Sequence, residues 1–294
     1  MSTPADPEIR AVSLSAPLPA DSHVHTEWSW DAPSGSMLGS CERALQLGLP
    51  AIAFTEHVDY TVWTPTEAEL ALNDYPPGIA DGGVITPPAF DVAGYHDAVQ
   101  ECRERYPQLR ILSGLELGEP HWYAAAVAQV LSSGPFDRVL GSLHCLADRG
   151  GYAEPDGLFE HRDPAEVIRS YLAEVAELVC SAAPFEILAH IDYPVRDWPA
   201  TAGRFDAGDF EDEFRHALRC TAESGRALEI NTRVPLDAQI LRWWHEEGGQ
   251  AVSFGSDAHE PETVARGFAG VAQFADAHGF RPGPDPYSLW ARRS

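Results

Sequence analysis

The chain has 294 residues, of which 45 are Asp or Glu and 20 are Lys or Arg, a formal net charge of −25. So acidic a surface repels phosphate backbones, and no basic cluster stands out beyond Arg292-Arg293, so nucleic acid is excluded as an expected partner. The acidity suits either solubility alone or a protein whose charge is locally offset by bound metal. The length suits one large α/β domain that needs no staples. Five cysteines, odd in number and without a C-x-x-C, read as reduced thiols of a cytoplasmic protein. Oligomeric state leaves no signature.

Residues 1–17 read as a loose tail. Pro4, Pro7, Pro17 and Pro19 interrupt the first twenty residues, and no apolar run there has the length of a signal peptide or a membrane span, so neither export nor anchoring is expected. Leu18-Pro19-Ala20 then leads into Asp21-Ser22-His23-Val24-His25-Thr26, read as the end of a buried strand. Side chains alternate along a strand, so His23 and His25 share a face and can hold one metal ion together. A loop at 27–35 and a helix at 36–48, closed by Gly48, precede the strand 51–55, which runs into Glu56-His57. Residues 60–90 carry too many prolines and glycines for a regular element and are expected to form a functional rim or lid.

A helix over 90–106 leads to the strand 109–115, which delivers Glu116, and a helix over 121–132 leads to 138–143, which delivers His144. After a loop at 147–162, Asp163 caps a helix with Pro164 at its first position. The strand 185–189 delivers His190; a helix over 209–224 precedes the strand 227–230, which ends in Asn231-Thr232-Arg233. A helix over 236–247 precedes 251–255, which delivers Asp257 and His259. Seven strands alternating with helices predict an α/β fold: one domain over 18–294, a distorted seven-stranded (β/α)7 barrel with the parallel sheet inside and the helices outside, and the 60–90 insertion on its active face.

Six of the twelve histidines, His23, His25, His57, His144, His190 and His259, fall at strand ends. Ordinary core histidines would not favour one end of every strand. The other six, His96, His121, His161, His216, His245 and His278, fall in predicted helices or loops, where packing or surface roles are expected. His121 differs, because Glu119-Pro120-His121 follows the Glu116 strand closely enough to reach a pocket and bind substrate. Arg196 and Arg233 sit in strand-end loops as candidates to bind an anionic substrate, with surface ion pairing as the alternative. Trp28 and Trp30 either wall the pocket or pack; Glu56 is placed to orient a ligand imidazole.

These motifs, H-V-H-T at 23–26, T-E-H at 55–57, G-L-E at 114–116, G-S-L-H at 141–144, A-H-I-D at 189–192, E-I-N-T at 229–232 and G-S-D-A-H at 255–259, resemble in content and order those of the PHP family, the polymerase-and-histidinol-phosphatase metallohydrolases. The resemblance implies a cluster of two or three divalent ions, zinc, manganese or iron. It implies a first site of His23, His25, Glu116 and Asp257, with Glu116 bridging to a second ion on His144 and His190. His57 and His259 would hold a third, with Asp31 at the position where many relatives carry a histidine. It further implies a phosphomonoesterase, of L-histidinol phosphate in histidine biosynthesis, in which Glu116 and Asp257 hold the metal-bound water. Another small phosphate mono- or diester, or a noncatalytic metal-binding barrel, are the alternatives. Acidic residues such as Asp59, Glu119 and Asp192 could take up the substrate's cationic groups.

The chemistry accounts for the residue types. Phosphate monoester hydrolysis needs acceleration of up to ~10²¹, about 28 kcal/mol of barrier. A general acid–base pair supplies roughly 10²–10⁴, whereas clustered divalent ions stabilise both attacking and departing oxygens.

Overall fold

A computed structural model describes residues 18–72, 75 and 77–293. The tail expected at 1–17 lies outside the described residues. The strands are β1 (Asp21–Val24), β2 (Ala51–Val58), β3 (Arg110–Gly118), β4 (Arg138–Ser142), β5 (Leu146–Asp148), β6 (Gly151–Ala153), β7 (Ile187–Leu188), β8 (Ala227–Asn231), β9 (Ala251–Gly255), β10 (Phe280–Arg281) and β11 (Trp290–Arg292). β1, β2, β3, β4, β7, β8 and β9 lie side by side in that order, each pair parallel. The sheet curls until its first strand meets its last parallel one: His25 N–H donates to Ala258 O at 2.8 Å and Asp257 N–H to His23 O at 2.8 Å. The architecture is a curled mixed sheet clad with helices, a TIM-like barrel.

The expected count of seven strands is corrected to nine in the main sheet. β11 adds antiparallel to β9, and β10 to β11. These strands are two and three residues long, too short to show alternation in the sequence. Phe280 and Trp290 hold them in place, both buried, with Trp290 edge-on to Phe254 at 4.9 Å.

The helices are α1 (Met37–Leu47), α2 (Glu67–Leu72), α3 (Val92–Arg105), α4 (Ala124–Ser132), α5 (Pro155–Phe159), α6 (Pro164–Cys180), α7 (Glu211–Glu223), α8 (Ala238–Glu246) and α9 (Phe268–Ala277). Local chemistry sets their ends. Ser36 accepts from Gly39 N–H at the start of α1, and Gly48 closes it in the left-handed region at φ 71°. Asp163 caps α6 by accepting from Ala165 and Glu166 N–H. Along α6 the residues Val167, Tyr171, Leu172, Val175, Leu178 and Val179 are buried. Each such aliphatic side chain stabilises the fold by roughly 1.5–3 kcal/mol, and Leu172→Ala would cost about 2–5 kcal/mol.

Two segments expected to be irregular carry structure. In 147–162, β5 and β6 form an antiparallel ribbon turned through Arg149 and Gly150, both with positive φ, followed by α5. In 60–90, α2 and a bridge between Trp63 and Ile85 build a folded wall, tied to β6 by Thr64 N–H donating to Tyr152 O at 3.0 Å. Trp63, Ile79, Ile85 and Cys145 form its apolar centre. Among the described residues, no helix is long and apolar enough to cross a membrane.

Candidate metal centre

The parallel strands deliver their polar side chains to one mouth of the sheet. Glu116 lies at the middle. Its Oε2 is 3.1 Å from His23 Nε2, 3.3 Å from His25 Nε2 and 3.3 Å from His57 Nδ1. Its Oε1 is 2.8 Å from His190 Nε2 and 3.2 Å from His144 Nε2. The two carboxylate oxygens thus face two different sets of imidazoles. Asp257 Oδ1 lies 3.5 Å from His25 Nε2 and 3.9 Å from His23 Nε2. Asp31 Oδ2 lies 3.1 Å from His259 Nε2 and 3.4 Å from His57 Nε2. All nine residues proposed from the sequence as metal-ligating are therefore brought to one place.

Hydrogen bonding around the rings decides what they can hold. His23 Nδ1 sits 2.7 Å from Glu229 Oε1, so the proton belongs on Nδ1. Ser29 Oγ donates to Glu56 Oε2 at 2.6 Å and so accepts from His25 Nδ1 at 3.0 Å. In the neutral rings both Nε2 atoms then carry lone pairs, facing one another at 3.0 Å in a buried site. Two acceptors at that distance have no hydrogen to share. Among the described residues, Glu116 Oε2 and His57 Nδ1 are likewise buried with close neighbours but no well-aligned hydrogen-bond partner. Donor sets His23–Glu116–His190, His23–His25–Asp257, His57–Glu116–His144 and His25–His57–His259 each have their atoms within 4.8 Å of one another. These residues fit divalent cations.

The carboxylates draw protons to some of the imidazoles: against burial, Glu229 and Glu116 raise His23 well above the usual imidazole range, Glu116 and Asp59 raise His144, and Asp31 and Glu116 push His57 up to about 10, so a divalent cation would bind here in competition with protons. Burial alone would push the Glu116 carboxyl up, but His23, His57 and His144 together hold it well below the usual carboxylate range. Asp257 is held low against burial by Arg196 and His23. Burial lowers the His190 imidazole to about 4 and, with His57 and His259 alongside, also lowers His25, so both favour the neutral ligating form. Asp257 and Glu119 adopt left-handed backbone at φ 52° and 43°, a conformation unusual for residues with a Cβ and concentrated at functional sites. Gly255 leaves the space its neighbours require, since a Cβ there would strike the Glu229 carboxylate and the His23 Cβ.

A cavity of about 830 Å³ opens from the donors. Arg196 lies on it, donating to Asp257 Oδ2 at 2.5 Å and stacking 4.7 Å above the Tyr193 ring. Arg233 is more exposed, with Nη1 3.6 Å from Asp257 Oδ1 and 3.4 Å from His259 Nδ1. His121 corrects an expectation: its Nε2 pairs with Glu174 of α6 at 2.8 Å, and it does not line the cavity. The chain turns outward at Glu119, whose carboxylate is occupied by the His144 and Cys145 N–H groups and the Thr61 hydroxyl. Trp30 lines the cavity, while Trp28 packs against the core. Glu56 reaches the imidazoles through Ser29, whose oxygen also accepts from His57 N–H at 3.1 Å.

Sequence reasoning passed over Glu229, Ser29 and the placement of Asp59. Glu229 orients His23 and accepts from His190 N–H at 2.9 Å. Its signal in the sequence is its place two residues before Asn231 on the same face of β8, within the strand and not at its end, where the other donors fall. Asp59 lies 3.5 Å from His57 Nδ1 and 3.6 Å from His144 Nδ1 and accepts from the Trp30 indole at 3.0 Å, which makes it a brace for imidazoles.

Comparison with known proteins bears on the whole chain. A curated histidinol-phosphatase of Lactococcus lactis is 26% identical over 81% of this chain and 83% of that one. A probable histidinol-phosphatase of Deinococcus radiodurans is 29% identical over 88% and 94%. Among solved structures, histidinol phosphate phosphatase from Lactococcus lactis, complexed with zinc, L-histidinol and phosphate, matches with a TM-score of 0.74 at 22% identity, covering 93% of this chain and 99% of that one. That likeness is one of fold. The family model of the PHP domain matches residues 21–233, well over half of the chain and nearly all of the donor strands, and the chain therefore belongs to the PHP domain family.

Proposed function

We propose that this protein is a metal-dependent phosphomonoesterase that hydrolyses L-histidinol phosphate to L-histidinol and phosphate. The observation that carries this reading is the convergence of the buried His23 and His25 Nε2 atoms, 3.0 Å apart, on the Glu116 carboxylate. The histidinol-phosphatase names of relatives that span most of the chain support the substrate. We take the sheet to be a distorted seven-stranded barrel extended by β11 and β10, forming one domain over 18–294 with the 60–90 insertion on its rim, in a cytoplasmic protein.

His23, His25, Glu116 and Asp257 would hold one divalent ion, His144 and His190 with Glu116 a second, and His57, His259 and Asp31 a third. Zinc, manganese or iron suit these donors, and the Lactococcus complex contains zinc. Such ions, when bound, supply Lewis-acid stabilisation of phosphoryl charge and lower the pKa of water. The chain's own residues do the rest. Arg196, fixed by Asp257 and Tyr193, presents a guanidinium to the phosphoryl oxygens, and Arg233 can close on them from the rim. Glu229, and Glu56 through Ser29, keep the proton on Nδ1 of His23 and His25, so that each Nε2 stays available.

The test is inorganic phosphate release from L-histidinol phosphate, a panel of other monoesters and a panel of diesters, each with and without chelator. Chelator-sensitive release from L-histidinol phosphate supports the reading. Release from diesters alone would discard the substrate, and silence in every panel with metal bound would leave a binding module.

A further inference from the structure

The donors explain how a phosphoryl group is held, but every phosphomonoester has one. Selection must come from the rest of the cavity. Tyr193 links its two ends. The ring packs against His144 and His190 at centroid distances of 5.1 and 5.0 Å, and the hydroxyl donates to Glu154 Oε2 at 3.1 Å. Glu154 is thereby fixed on the cavity wall one phenol ring beyond the imidazoles of His144 and His190.

Its carboxyl is bonded by a neutral phenol, and the Arg196 guanidinium that stacks on the same Tyr193 ring is taken by Asp257. Among the described residues, no arginine forms an ion pair with Glu154 or with Asp156, which shares that end and accepts from the Thr66 hydroxyl at 2.9 Å. Trp63 and Tyr75 wall the same space, with the Trp30 ring 5.7 and 6.0 Å from theirs. Burial, and then the charges of Glu69 and Asp156, push the Glu154 carboxyl up to about 8, a repulsion that an arriving cation would relieve. A carboxyl group beside aromatic faces is a recognised setting for an ammonium or imidazolium group.

We propose that Glu154, presented by Tyr193, reads a positive charge on the leaving alcohol, so that the site selects phosphomonoesters of cationic amino alcohols over neutral esters of the same length. The proposal rests on the phosphomonoesterase reading and adds to it a residue that determines specificity. It also distinguishes Glu154 from Asp59 and Glu119, the nearer acids, whose carboxylates already serve the Trp30 indole and the backbone at His144 and Cys145.

Steady-state kinetics of the metal-loaded protein on L-histidinol phosphate and on 3-phenylpropyl phosphate, a neutral ester of similar length, tests this. Glu154→Gln should lower kcat/KM for L-histidinol phosphate by about 10- to 100-fold, mainly through KM, the range for losing one hydrogen bond to a charged group. The neutral ester should change by less than about twofold, with bound metal unchanged. Tyr193→Phe keeps the ring packing and should give a smaller loss with the same selectivity; it carries the test if Glu154→Gln does not fold. Equal losses in kcat on both esters would make Glu154 a proton donor to the leaving oxygen and overturn the proposal, as would no change on either. If the unmodified protein releases phosphate from neither ester, the phosphatase reading falls and this proposal with it; release from both without discrimination by the variants removes the proposal alone.

Discussion

The two ends of the cavity are built by different means. At the donor end, the imidazoles and carboxylates stand at or just beyond the ends of parallel strands whose register fixes them: His57 pairs in register with Glu116, and Leu117 with Gly141 three residues before His144. At the opposite end the wall comes from α2, the Trp63–Ile85 bridge and the β5–β6 ribbon, held by short antiparallel pairings and a small apolar cluster. The difference is that between a rigid frame for the chemistry every substrate shares and a softer surface for what distinguishes one substrate from another. Substitutions at the two ends should therefore fail in different ways.

The largest effect is expected at Glu116. Glu116→Gln should lower kcat by at least about 1,000-fold on every phosphomonoester, and chelation should do the same reversibly, as phosphate release will show. Arg196→Met should raise KM for all monoesters by about 10- to 100-fold while leaving bound metal unchanged by elemental analysis, because it removes a phosphoryl contact and not a donor. Glu229→Gln should weaken metal affinity about 10- to 100-fold in competition with a chelator, and activity should return at high metal concentration. At the soft end, Tyr75→Ala should alter KM by only a few fold, and differently from one leaving group to the next. His121→Gln, which breaks a pair with Glu174 outside the cavity, should change kcat/KM by less than about twofold and the unfolding free energy by about 0.5–1.5 kcal/mol. An Arg196 variant that lost metal, or a Tyr75 variant that lost kcat on all esters alike, would erase the distinction between the ends.

The same division governed how much could be read from the chain. His23, His25, Glu116, His144, His190 and Asp257 were legible because a strand's period of two and its abrupt end leave a mark over a few residues. Arg196 was legible as a cation in a strand-end loop. Glu154 and Tyr193 were not, since nothing local relates a residue after the β5–β6 ribbon to one after β7; only folding brings the phenol to the carboxylate. His121 misled because proximity in sequence to Glu116 says nothing about direction once Glu119 takes the left-handed conformation and turns the chain toward α6. The strands β10 and β11 escaped for want of length, and the wall at 60–90 because prolines and glycines mark irregular backbone without saying what it packs against.

Anomalous diffraction at the absorption edges of zinc, iron and manganese, on crystals of the protein purified without chelator, tests the central claim most directly. Two or three peaks are predicted at the mouth of the sheet, one within about 2.0–2.2 Å of Nε2 of both His23 and His25, with the Glu116 carboxylate shared between two of them. A metal-replete protein with no peak there, or with its ions bound by residues other than these, would contradict the account.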